Sequence, residues 1–437
     1  MDYLPNVIFA IALLLGIGFF VSNVLKLVRN IKLGKDLDRS DNKPERWKNM
    51  ARIALGQSKM VSRPIAGFLH IVVYIGFIVI NIEVLEIIFD GLFGTHRVFQ
   101  PLLGNSIYGF LIGTFEILAF LVLVAVIIFW LRRNIVQLKR FMSKEMKGWP
   151  KNDGNLILYF EIVLMSLFIL MNATDYSFQQ AGFGNPISQF VAPWFSEYPL
   201  ETLSSIEYTA WWAHIIGILI FLNYLYYSKH LHILLAFPNT FYANLQPKGQ
   251  FNNLSSVTKE VRMMMDPDAD PYATPEEGAE EEIPEKFGAS DVTDLNWVQL
   301  LNAYTCTECG RCTSSCPANM TGKELSPRAI MMKTRDRLEE VGRNIDSNKG
   351  TFKDDGKQLL NDYITPEELW ACTSCNACVE ECPIDIDPLS IIMDMRRFLV
   401  MEQSAAPQEL NMMMTNIENN GAPWQYNQQD RLNWKDE

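Results

Sequence analysis

The 437-residue sequence predicts a mainly α-helical chain in two unlike parts, a five-helix membrane bundle followed by a helical, cysteine-rich domain. Three observations predict it. Apolar runs at roughly 5–28, 65–89, 107–131, 155–172 and 209–228 are each long enough to cross about 30 Å of hydrocarbon as a helix. All 8 cysteines lie in two short runs in the second half. A mean hydropathy of only +0.03 averages the apolar first part with a polar, acidic second part.

The first apolar run reads as a membrane span rather than a cleaved signal peptide. Its leader, MDYLPNV, carries no positive charge, and a basic stretch follows it rather than a small-residue cleavage site. The loop after it holds Lys26, Arg29, Lys32, Lys35, Arg39, Lys43, Arg46, Lys48, Arg52, Lys59 and Arg63. The loop after the third run holds Arg132, Arg133, Lys139, Arg140, Lys144, Lys147 and Lys151. The other two loops offer Arg97 alone at 90–106 and no Lys or Arg at 174–208. The positive-inside rule then places the N-terminus outside and the cysteine-rich domain in the cytoplasm. A multi-pass protein of a bacterial inner membrane is expected. The outer loop 174–208 reads either as a lid or as plain connection.

Ionisable groups inside spans are costly and default to function. His70 falls five residues into span two from the inner side, and His214 five residues into span five from the outer side. His230 and His232 follow at the inner end of span five. Facing helices of a bundle can supply axial imidazoles to a haem iron. Depth pairs His70 with His232 around one haem b. The 18-residue step from His214 to His232 is five whole turns, so the two share a face and His230 points nearly the opposite way. A second, outer haem on His214 needs another ligand, and His96 is the one remaining histidine. The alternative is that His214 bonds within the bundle and His96 is an ordinary loop residue. Glu83, Glu116 and Glu161 are candidates for quinone-linked proton handling or for bonding a haem propionate through water, or else for interhelical hydrogen bonding; for Glu86 the plain reading is interhelical hydrogen bonding or snorkelling to the interface.

Four segments follow: a membrane domain at 1–238, an acidic linker at 239–293, a cluster domain at 294–402 and a tail at 403–437 that reads as partner-docking. Within the linker, DPDADPYATPEEGAEEEIPEK (266–286) is too rich in Pro, Gly, Ala and acid to bury a core. The cysteine runs are CTECGRCTSSCP (306–317) and CTSCNACVEECP (372–383), each C-x2-C-x2-C-x3-C-P. That spacing wraps three thiolates around one [4Fe–4S] cubane and sends the fourth to the other. One cluster then takes Cys306, Cys309, Cys312 and Cys382, and the second takes Cys372, Cys375, Cys378 and Cys316. Zinc has no reason to repeat a four-cysteine run ending in proline. Pro317 and Pro383 turn the chain away, and Gly310 lets the backbone pass close to sulfur. The wide gap between runs, with an amphipathic stretch at 327–341, suggests a helical ferredoxin-like domain. The acidic balance, 38 Lys+Arg against 50 Asp+Glu, argues against nucleic acid.

On these residues the five-span part resembles the cytochrome b component of respiratory nitrate reductase and the haem component of membrane-bound heterodisulfide reductase. The resemblance rests on the five-span plan, His70, the His214 and His232 spacing and HILLAFP (232–238). It implies b-type haem and electron exchange with a quinol or methanophenazine. Two-haem relatives carry a further span-two histidine where this chain has Ile80–Asn81. The cysteine runs, TGKELSPRAIMM (321–332) and NNGAPWQYNQQDRLNW (419–434) resemble the dicluster portion of the D-type heterodisulfide reductase proteins, glycolate oxidase iron–sulfur proteins and lactate-utilisation proteins. Longer members continue into cysteine-rich modules that bind a catalytic cluster, and no cysteine follows Cys382 here. A separate partner bearing those modules, or a flavoprotein, is therefore expected. Together the halves resemble fused haem b/iron–sulfur proteins, some of them electron-transfer-flavoprotein:menaquinone oxidoreductases.

The expectation is an electron-transfer subunit of a multi-subunit, quinone-dependent respiratory oxidoreductase, working with menaquinone. Two alternatives stand beside it. One is a membrane anchor and relay scaffold without its own quinone site. The other is a redox sensor.

Overall fold

The computed structural model describes residues 3–247, 249–267 and 286–436. Most of the acidic tether at 266–286 lies outside the described residues. Five helices are long and apolar enough to cross a membrane: α1 (Leu4–Ile31), α3 (Pro64–Phe93), α4 (Phe99–Asn134), α5 (Trp149–Thr174) and α6 (Leu200–Tyr224), the last extended by a tight turn to Tyr227. Between α1 and α3 lies the short α2 (Lys43–Met50). Each span exceeds its apolar run, because polar first and last turns continue the helix past the hydrocarbon-compatible core. In α4 the excess is a kink: Gly104 adopts φ 76° and ψ 158°, so the straight part starts close to the sequence-predicted 107.

The outer loop 174–208 folds back onto the bundle. Glu116 of α4, fully buried, accepts the amides of Ile187 (2.9 Å) and Ser188 (3.0 Å) and the side-chain amide of Asn172 (3.0 Å). Gly109 gives Phe183 its seat, since a Cβ there would stand 2.7 Å from the ring. Glu86 takes the hydrogen-bonded place and not the snorkelling one: it is buried and accepts Phe99 N (2.9 Å) and Tyr108 Oη (3.0 Å). An unpaired carboxylate at that depth would be costly, and these donors offset the cost.

Span five does not run unbroken to His232. Ser228 is extended (φ −115°, ψ 147°), its Oγ accepts His230 N at 3.1 Å, and a new helix, α7 (His232–Phe241), begins there. The shared face expected for His214 and His232 is therefore interrupted.

The cluster domain is helical, with no strand among the described residues. Its main helices are α8 (Trp297–Thr305), α9 (Pro327–Ser347) and α10 (Pro388–Met401). Each has a side-chain cap: Asn296 accepts Gln299 N, Ser326 accepts Ala329 N and Asp387 accepts Ser390 N. Proline at the first position of α9 and α10 costs nothing, because that N–H has no helical partner.

The domain sits against the end of the bundle that carries both basic loops. Leu27, Phe221 and Leu225 of the spans share one apolar core with Leu300, Tyr304 and Cys306. Lys35 N donates to Leu295 O at 2.8 Å, and Trp297 N donates back to Lys35 O at 3.1 Å. Asn30 donates to Tyr304 Oη at 3.0 Å, and Arg29 pairs with Asp346.

Candidate functional site

The two cysteine runs are conformational repeats. In each, the residue just before and the residue just after the second cysteine take positive φ: Glu308 (54°) and Gly310 (73°) in one, Ser374 (56°) and Asn376 (59°) in the other. The left-handed steps curl each loop so that its thiols point inward. At Gly310 the need is double, since a Cβ would also collide with the Arg328 guanidinium.

A small cavity is lined by Cys306, Cys309, Cys312, Cys378 and Cys382. Cys382 feels the charges of Cys309 and Cys306, and Cys316 acts on both Cys372 and Cys378. Cys382 thus lies near cysteines of the first run, and Cys316 near Cys372 and Cys378 of the second. Backbone amides point at sulfur, Ser374 N to Cys372 Sγ at 3.4 Å and Ile386 N to Cys382 Sγ at 3.3 Å. Burial pushes the Cys306 thiol up to about 11 and Cys382 up to about 12. Burial disfavours free thiolates here, and bound metal would stabilise them, so this donor set is compatible with a cluster. Cys375 is exposed, whereas Cys306, Cys316 and Cys378 are buried.

Behind the first run the histidines gather. His70 and His232 lie with ring centroids 6.5 Å apart, tilted by 43°. Two imidazoles sharing one iron through bonds of about 2.0 Å put their centroids roughly 6.3 Å apart. His232 Nδ1 meets Lys229 O at 3.0 Å, and neither Nε2 makes a hydrogen bond among the described residues. His70 Nδ1 is buried without a partner. Both rings fit axial ligation through Nε2. His230, expected to point away, is also turned inward, its ring edge-on to His232 at 5.5 Å. The break at Ser228 causes this, because a tight turn does not keep the 100° step of an α-helix.

His214 is buried with Nδ1 3.1 Å from Leu164 O, and its ring lies against Phe168. His96 lies exposed at the end of the bundle away from the cluster domain, Nε2 3.0 Å from Glu207 and 3.6 Å from Asp175. His96 and His214 are not ring neighbours, and Asn81 of span two is exposed and donates to Phe77 O within its own helix. His96, Asp175 and Glu207 could hold a metal by spacing. However, Arg97 Nε already occupies the same Asp175 oxygen at 2.7 Å. Among the membrane carboxylates, Glu83 Oε2 is buried without a partner, and buried Glu161 makes no hydrogen bond among the described residues.

Two features that the sequence motifs do not signal join the histidines to the cysteines. Asn239 of α7, fully buried, donates to Ile384 O at 2.7 Å, two residues past Cys382. Lys229, adjoining His230, pairs with Glu308, which lies between Cys306 and Cys309. Burial pushes the Glu308 carboxyl up, but Lys229 and Arg335 more than offset that and hold it below the usual carboxylate range. The second inner loop is joined as well: Arg328, one residue after Pro327, reaches Glu145 at 2.6 Å and Arg140 O at 2.8 Å.

Residues 305–386 match the family model of the 4Fe-4S dicluster domain. The chain is 29% identical, over 98% of its length, to a protein of Bacillus subtilis (strain 168) named "Probable iron-sulfur-binding oxidoreductase FadF". It is 24% identical, again over 98% of its length, to the EtfAB:quinone oxidoreductase of Syntrophomonas wolfei. It covers 60% and 59% of those two proteins. A quarter of the chain (25%) is 31% identical to the C-type component of the ferredoxin/F(420)H(2)-dependent CoB-CoM heterodisulfide reductase of Methanosarcina acetivorans, covering 53% of it. The heterodisulfide reductase likeness thus falls on the C-type component, where the sequence motifs suggested the D-type. No solved structure matches the chain. The chain is a homologue of iron–sulfur oxidoreductases and carries a 4Fe–4S dicluster domain.

Proposed function

We propose that the chain relays electrons between a redox partner and a membrane quinone, through two [4Fe–4S] clusters and a b haem. The clusters supply one-electron steps, the haem a further one-electron step inside the bundle, and the quinone a two-electron, two-proton couple. Cys306, Cys309, Cys312 and Cys382 hold one cluster; Cys372, Cys375, Cys378 and Cys316 hold the other. His70 and His232 hold the haem. One observation carries the reading: a pair of free-Nε2 imidazoles at bis-ligation spacing is tied, through Lys229 and Asn239, to the very loops that carry the first cysteine set.

The order of residues supports an order of relay. The second set includes Cys375, the exposed cysteine, which suits exchange with a soluble partner. The first set is the one pressed against the histidine segment. Glu83 and Glu161, free of hydrogen-bond donors among the described residues, are the groups suited to exchanging protons with a quinone in the bundle. Glu86 and Glu116 have their oxygens occupied and pin the bundle instead. The name of the Syntrophomonas relative, which pairs EtfAB with quinone, supports a flavoprotein partner on one side and quinone on the other. The basic loops beside the cluster domain support a cytoplasmic location for that domain and an outside N-terminus, in a bacterial inner membrane.

The test is metal and haem analysis of the purified chain, followed by mixing with a reduced menaquinone analogue. About eight non-haem irons with one b haem per chain are expected, with haem absorbance responding to the quinol. A colourless protein, or eight sulfurs occupied by zinc, refutes the proposal.

A further inference from the structure

We infer that Lys229 is a positioning residue that locks the His232 imidazole and the Cys306–Cys312 loop into one unit and sets the charge felt by both. The inference rests on the haem and cluster assignments proposed above.

Lys229 occupies the tight turn after Ser228, where span five breaks. Its backbone carbonyl faces His232 Nδ1 at 3.0 Å. An Nδ1–H donated to a carbonyl fixes the tautomer and ring plane and leaves the Nε2 lone pair for a metal. Its amide donates to Asp153 Oδ2 at 3.2 Å, which anchors the turn to span four. Its ammonium donates to Pro150 O at 2.7 Å and pairs with Glu308, whose other partner is Arg335 at 2.9 Å. Glu308 is 3% exposed and holds one of the left-handed positions that shape the cysteine loop. A single residue therefore grips the candidate haem ligand with its backbone and the candidate cluster loop with its side chain.

Charge gives the inference a sign. Each electron added to a site adds negative charge, so a nearby cation favours the reduced form and a nearby anion opposes it. Removing Lys229 takes away a cation, and neutralising Glu308 takes away an anion from the same pair. The two variants must shift the first cluster in opposite directions. A residue that merely supports the fold would shift it the same way in both, or not at all.

The experiment is an EPR-monitored and optical redox titration of the full-length protein in detergent, for wild type, Lys229→Met, Lys229→Arg and Glu308→Gln. In Lys229→Met the first cluster and the haem both move to lower potential, and the haem absorption band changes shape. The second cluster stays in place. Lys229→Arg keeps the charge and returns the cluster to its wild-type potential. Glu308→Gln moves the first cluster to higher potential. Unshifted cluster and haem in Lys229→Met overturn the inference, as does an equal shift of all three centres. If Lys229→Met does not fold, a Glu308→Gln shift in the wrong direction, or none, overturns it alone. A wild-type protein lacking haem or cluster signals instead overturns the proposed function, so the two failures are told apart.

Discussion

Docking of the cluster domain onto the second inner loop makes Arg328 the most informative single substitution outside the cofactor ligands. Its guanidinium is 1% exposed and donates to Arg140 O at 2.8 Å, Ser143 Oγ at 2.5 Å and Glu145 Oε1 at 2.6 Å. In Arg328→Met the stem's volume is kept and all these bonds are lost. Breaking a buried pair costs about 3–5 kcal/mol, because the surviving charge keeps its desolvation penalty. Glu145, however, is 18% exposed and keeps Ser326 Oγ at 2.8 Å, so water and that hydroxyl recover part of the loss. A net cost of about 3 kcal/mol follows, which lowers the melting temperature by roughly 6–12 °C at about 2–4 °C per kcal/mol. The assay is thermal unfolding of the detergent-solubilised protein, followed by loss of cluster absorbance, with proteolysis of the loop around residue 140 as a second readout. Lys144→Ala is the control: that ammonium is 88% exposed, its partner Glu324 is 3.7 Å away, and exposed pairs are worth under about 1 kcal/mol. If Arg328→Met melts within about 2 °C of wild type (roughly the shift of 0.5–1 kcal/mol), the loop does not hold the domain as described.

The remaining predictions concern the ligands and the outer face. Cys316→Ser should degrade the EPR signal of the cluster whose other cysteines are Cys372, Cys375 and Cys378; damage confined to the 306–312 site would refute crossed ligation. His70→Ala should abolish the low-spin haem b signal while both cluster signals persist, and His214→Ala should leave that signal present; the reverse pattern would place the haem in the outer half. At the outer face, the hydrogen bond with Glu207 raises the His96 pKa despite opposing burial. A raised folded value means the stabilisation is full below the unfolded value of about 6.5 and disappears as pH climbs through the folded one. The side chain is 59% exposed, so the amplitude stays under about 1 kcal/mol. His96→Gln should flatten this part of the stability–pH curve, and superimposable curves for mutant and wild type would discard the pairing.

What was legible in the sequence, and what was not, divides along a physical line. Spans and cysteine loops are local: a run of apolar side chains is enough to require a helix in lipid, and C-x2-C-x2-C carries its own loop geometry. The fate of His230 was not legible, because the shared-face argument from His214 assumed an unbroken helix. The break costs the chain little at Ser228, whose hydroxyl caps the next turn by accepting His230 N. A serine two residues before the histidine pair was the available signal. The buried carboxylates divide the same way. Nothing in FEIL or IEVLE says that Glu116 meets the amides of residues 187 and 188, or that Glu86 meets Tyr108, while Glu83, one turn away, goes unpartnered. Such pairings depend on how the outer loop folds back. The Lys229 and Glu308 pair spans 79 residues, and Arg328 and Glu145 span 183. A single sequence offers no covariation from which to infer such partners. These long-range contacts are also what turn two separately legible modules into one candidate conduit. The motifs suggested which cofactors to look for, but which cysteine set adjoins which histidine is a property of the interface, and variants at Lys229, Asn239 and Arg328 interrogate it more directly than further ligand knockouts can.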